Sequence, residues 1–139
     1  MEERIIEYRN RQSRNKIVLH QKTIDDVSTV DIGKVVSEAV RDLLQSPKLS
    51  VRANILVESV LNSALQNHPE YGAIISISNI GILLEPELKI DFDKLINKFS
   101  RENILFLQWE GSITNNNLYF LSQENGIKVD LQNLSHIEL

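Results

Sequence analysis

The sequence contains no cysteine. That excludes disulfides, a thiol nucleophile and thiolate metal sites, and it suits a reducing cytosol. Glycine is sparse: five in 139 residues, at positions 33, 72, 81, 111 and 126. A phosphate-binding loop needs a Gly-rich backbone that approaches the phosphates, then Lys and a Ser or Thr hydroxyl. Only Gly33-Lys34 resembles the end of such a loop. Val35 stands where the hydroxyl should be, Thr29 stands where the first Gly should be, and Asp31 would set a carboxylate against the phosphates. The Gly-x-Gly-x-x-Gly dinucleotide fingerprint is missing, as is the Gly-x-Ser-x-Gly elbow of esterases. His20, His68 and His136 are far apart and form no His-x-x-x-His pair, so a zinc helix is unsupported.

Positive charge is also short, with 15 basic residues against 19 acidic and a net charge of −4. No global field draws in nucleic acid or an anionic membrane. No apolar run approaches the roughly 18 residues of a membrane span, and Met1-Glu2-Glu3-Arg4 lacks the apolar core of a signal peptide. The expectation is therefore a cytoplasmic protein with no catalytic residue, cofactor or metal site assigned.

An apolar content of 42% and a charged content of 24% lie in the globular range, and the length fits one domain. Residues 1–15 read as a charged N-terminal arm, solvated or used for docking, and 16–139 as a single α/β domain. Lys16 to His20 is β-branched and predicts a strand. Thr23 to Val30 predicts a loop. Asp31 can cap a helix whose face is Val35, Val36, Ala39, Val40, Leu43 and Leu44, ended by Ser46-Pro47. Ser50 is the next candidate cap. A wide stripe from Ala53 to Leu65 follows, closed by His68-Pro69, where His68 reads as a helix-dipole partner.

The stretch from Gly72 to Gly111 organises the chain. Ala73 to Ile77 predicts a strand buried on both faces, and Ile82 to Leu84 a second short apolar run interrupted by Pro86. Phe92, Leu95, Ile96 and Phe99 space as a helical face beginning near Asp91, and Ile104 to Trp109 predicts another strand. Asn115-Asn116-Asn117 reads as a turn. Leu118 to Leu121 and Ile127 to Leu131 read as a hairpin around Asn125-Gly126. Strands alternating with helices imply a three-layer α/β fold with a mainly parallel sheet and a C-terminal β-hairpin.

The residues Asn79-Ile80-Gly81-Ile82-Leu83-Leu84-Glu85-Pro86-Glu87-Leu88, then Ser100-Arg101-Glu102-Asn103, then Trp109-Glu110-Gly111, resemble the second half of BrxF. BrxF is the small P-loop ATPase family of bacteriophage-exclusion (BREX) defence systems. The resemblance covers roughly residues 72–111, and it implies a truncated P-loop NTPase core. The family's magnesium-holding Asp falls on Ser78 and its catalytic Glu on Gly81, and no phosphate loop precedes the first strand. Without the Lys, the hydroxyl and the acids, nothing would neutralise charge developing on a γ-phosphate. The resemblance thus implies a degenerate pseudo-ATPase that acts in assembly or regulation, with other protein subunits of a defence system as partners and homo-oligomers left open.

The partner-binding candidates are Trp109, Arg101, Glu85 and Glu87, with Arg9, Arg11 and Arg14 of the arm. Trp109 reads either as a hot spot at the carboxyl edge of the sheet or as a core residue capping it. Two alternatives stay open. One is a magnesium-dependent nuclease using Glu87 and Lys89, with Asp91 and Asp93 close by in sequence. The other is a nucleic-acid-binding module working through the arm.

Overall fold

A computed structural model describes residues 2–109, 112–114, 117–120, 127–131 and 134–139. In chain order the elements are α1 (Glu2–Arg9), β1 (Ile17–His20), β2 (Val30–Asp31), α2 (Ile32–Arg41) and α3 (Leu49–Ser63). Next come β3 (Gln66–His68), β4 (Gly72–Ser78), two 3₁₀ turns (Ile80–Leu84 and Pro86–Leu88), α4 (Phe92–Glu102) and β5 (Ile104–Gln108). The chain ends with β6 (Ser112–Thr114), β7 (Asn117–Phe120), β8 (Ile127–Asp130) and β9 (His136–Glu138).

The main sheet has the order β2-β4-β5-β1-β9, all parallel, with β3 added antiparallel to the start of β4. β4 and β5 lie side by side, Ile74 opposite Ile104 and Ile77 opposite Leu107, joined through α4. The expected strand–helix–strand unit is thus present. β1 and β5 are buried on both faces, which explains their near-continuous apolar sequence.

Side chains alternate between two cores. One face carries Ile17, Leu19, Ile75, Ile77, Leu105 and Leu107, and is covered by α2, α3 and α4. The other carries Val18, Ile74, Ile104 and Phe106, covered by Ile5 and Tyr8 of α1, Ile24 and Tyr71. Helices therefore flank both faces of a mostly parallel sheet, the three-layer α/β arrangement. β6, β7 and β8 form a separate antiparallel sheet. The expected hairpin is β7–β8, with β6 as a strand that the residue pattern did not announce. Asn115, Asn116, Asn125 and Gly126, read as turn residues, lie outside the described residues.

Several expectations are corrected. The arm is not simply solvated: Ile5 and Tyr8, one turn apart, are fully buried. The Tyr8 hydroxyl accepts a bond from Ile17 N (2.9 Å) and donates toward Asn15 O (3.0 Å) and Ser135 O (2.9 Å), tying α1 to β1 and to the approach to β9. Helix α2 ends at Arg41, ahead of Ser46-Pro47, and α3 starts at Leu49, so Ser50 lies inside its first turn and caps nothing. His68 does not close a helix. It sits in β3, stacks on Tyr71 with centroids 4.1 Å apart, and its Nδ1 accepts from Glu70 N and Tyr71 N. Ile82 to Leu84 is not extended, because Asn79 turns left-handed (φ 56°) and ends the strand at Ser78.

Candidate functional site

Three places on this frame carry side chains that local packing alone does not explain. The first is the carboxyl edge of the parallel strands, where open α/β sheets bind their ligands. β2 runs straight into α2, and the Asp31 carboxylate accepts from Lys34 N (2.9 Å) and from Asn79 Nδ2 (2.9 Å). The Lys34 amide and the Asn79 amide hold its carboxyl below the usual carboxylate range. Gly33 is required by the same contact, because a Cβ there would overlap the Asn79 side chain and carbonyl. At α4 the Asp91 carboxylate likewise accepts from Lys94 N (3.1 Å). Both helix N-termini, the natural seats for a phosphate, are filled by the chain's own carboxylates.

His20 ends β1 at the same edge and is 2% exposed. Its Nδ1 bonds Lys22 O at 2.7 Å, its ring meets Phe106 edge-on, and Nε2 has no hydrogen-bond partner among the described residues. Burial lowers its pKa, with the Lys22 carbonyl opposing. The sequence alone gives no sign of this, since a His after Ile-Val-Leu can face either core.

The second place is a groove of about 290 Å³ between α2 and the 3₁₀ turns. Val40, Leu44, Ile82 and Leu88 give it apolar walls, with Ser37 and Arg41 on the α2 side and Glu85 and Glu87 on the other. The third is the outer face of α3. Val51 is 55% exposed and Ile55 63%, one turn apart, and Leu44 just beyond α2 is 54% exposed. The opposite face, Ala53, Val57 and Leu61, is already buried in the core. A helix apolar on both sides is normally covered on both sides.

No family model, curated protein or solved structure matches this chain.

Of the residues singled out from sequence, Glu85 and Glu87 come together on the groove. Neither carboxylate has a hydrogen bond or ion pair among the described residues. Arg101 is exposed in the last turn of α4. Trp109 is 2% exposed and belongs to the core over α2, α3 and α4, and its backbone N–H donates to His20 O at 2.9 Å. The reading of Trp109 as a partner-facing edge residue is corrected: in the free chain it is core, because β5 carries it onto the helix-covered face with Leu105 and Leu107.

The arm arginines go to different neighbours. Arg9 Nη1 donates to Glu70 O (2.8 Å), Arg11 lies over the Tyr8 ring at 5.9 Å, and Arg14 lines a depression with Asn15, Asp91, Asp93 and Asn97. Glu87 faces a different groove from Asp91 and Asp93. Among the described residues, no three His, Asp or Glu side chains converge for a metal ion, and no helix is long and apolar enough to cross a membrane.

Proposed function

We propose that this chain is a non-catalytic assembly or regulatory subunit of a cytoplasmic bacterial complex that works through protein–protein contacts. The resemblance over residues 72–111 supports antiphage defence as the setting of that complex. The observation that carries the reading is the outer face of α3, where Val51 and Ile55 are more than half exposed on a helix whose inner face is already packed. Covering an exposed Ile contributes about 1–2 kcal/mol. The occupant is another protein subunit rather than nucleic acid, because the chain is net acidic at −4 and Val51 and Ile55 offer apolar contacts. The closed helix N-termini and the missing Lys–hydroxyl pair support a pseudo-ATPase rather than a working one.

Two experiments test this. The tagged chain, expressed from its native operon, should copurify with a product of a neighbouring gene. Ile55→Glu should lose that partner by about tenfold or more while keeping its melting temperature, since Glu is a good helix former on a solvated face. Calorimetry with millimolar magnesium-ATP should show no heat of binding. A partner held equally by the Ile55→Glu chain, or micromolar affinity for nucleotide, overturns the reading.

A further inference from the structure

The groove between α2 and residues 80–88 has its own chemistry, independent of the α3 ridge. Its wall on the 80–88 side is a pair of hydrogen-bonded 3₁₀ turns. Glu85 N bonds Ile82 O, Leu88 N bonds Glu85 O, and Lys89 N bonds Pro86 O, with Leu88 buried beneath. Pro86 fixes the backbone between the two acids. Glu85 and Glu87 are thus presented on a preorganised frame, and both are exposed and unpaired among the described residues. Arg41 lines the α2 wall, so the residues lining the slot carry one positive and two negative charges. Leu44, Val40 and Ile82 supply apolar surface between the charges.

We propose that this groove binds a basic amphipathic segment of a partner protein, with an aliphatic side chain seated against Val40, Leu44 and Ile82 and a Lys or Arg set against Glu85 and Glu87. The inference deepens the assembly reading and rests on it for the source of the segment. Charge complementarity decides the class of partner. Two free carboxylates repel phosphates, so a nucleic acid or a nucleotide is disfavoured, while a cation beside an apolar anchor gains on both counts. At about 290 Å³ the slot is at the lower end of ligand pockets and suits an anchoring side chain rather than a cofactor.

The test is an amide chemical-shift titration of the full chain with two synthetic helical peptides. They share the same Leu positions and carry Lys in one and Glu in the other on the polar face. The Lys peptide is expected to shift amides within residues 37–44 and 82–88, and to bind more weakly as salt rises. The double variant Glu85→Gln, Glu87→Gln should weaken it about fivefold or more. Leu44→Ala should weaken it too, whereas Ile55→Glu should leave it unchanged. Equal binding of the Glu peptide, shifts confined to other surfaces, no binding of the Lys peptide, or an oligonucleotide displacing it from the groove would each overturn the proposal. Loss of copurification while the Lys peptide still binds here would count against the assembly reading and not against the groove.

Discussion

Replacing Tyr8 by Phe tests whether the N-terminal helix is part of the folded body. The ring stays, so apolar packing and the cations over it, Lys16 at 5.0 Å and Arg11 at 5.9 Å, are retained. What is lost is one hydroxyl serving a buried junction. Ile17 N–H donates to it at 2.9 Å, and the bond is buried. Ser135 O at 2.9 Å loses a donor, whereas Asn15 O keeps Ser13 Oγ at 3.0 Å. One orphaned buried N–H costs about 1–3 kcal/mol, and a lost ordinary bond about 0.5–1.5 kcal/mol. The expected destabilisation is about 2–3 kcal/mol, a large share of the roughly 5–15 kcal/mol available to a domain. For a chain of this size that lowers the melting temperature by about 6–15 °C. Urea unfolding followed by circular dichroism should show a lower midpoint with an unchanged slope, because the buried surface is the same. A melting temperature within about 1 °C of the parent would refute the argument and return residues 1–15 to the status of a solvated arm.

Three further outcomes are expected. Gly33→Ala should destabilise by about 1–3 kcal/mol even though Ala is the better helix former, because the new Cβ meets Asn79 where it is held by Asp31; a raised melting temperature would show that this contact can relax. Trp109→Ala should cost about 3–5 kcal/mol, and the parent should already emit blue-shifted when alone, as a core Trp does; red-shifted emission from the free chain would contradict its burial. His20 has its folded-state pKa lowered from 6.5 by burial, so the unfolded chain binds the proton more tightly. Its contribution is therefore complete above about pH 6.5 and is lost as pH falls from there toward the folded value. Comparing stability at pH 7.5 and pH 5.5 in the parent and in His20→Gln should show a smaller loss in the variant, and identical slopes would rule out His20 as the cause.

What the sequence determined by itself is what depends on neighbours along the chain. The apolar runs at Ala73–Ile77 and Ile104–Leu107 had to be strands, the first, rich in β-branched residues, buried on both faces. The helical spacing of Phe92, Leu95, Ile96 and Phe99 fixed α4 with its start near Asp91, and Asp31 announced the cap it forms with Lys34 N. The same local grammar gave the parallel α/β class and the β7–β8 hairpin. Tertiary structure decided the rest, because those outcomes depend on residues far apart in sequence. β9 is too short and mixed to be a strand on its own, and becomes one by pairing its Ile137 with Val18 of β1. Ile82 to Leu84 carries an apolar composition suited to a strand, but the left-handed Asn79 turns the chain into 3₁₀ geometry over α2. Tyr8 stands in a run of charges that reads as solvent-facing until Asn15, Ile17 and Ser135 close around its hydroxyl. Trp109 could be edge or core, and only the alternation of β5 across the helix-covered face made it core. Conversely, Val51 and Ile55 are apolar residues that the fold leaves outside, because one helix can turn only one face toward its own sheet.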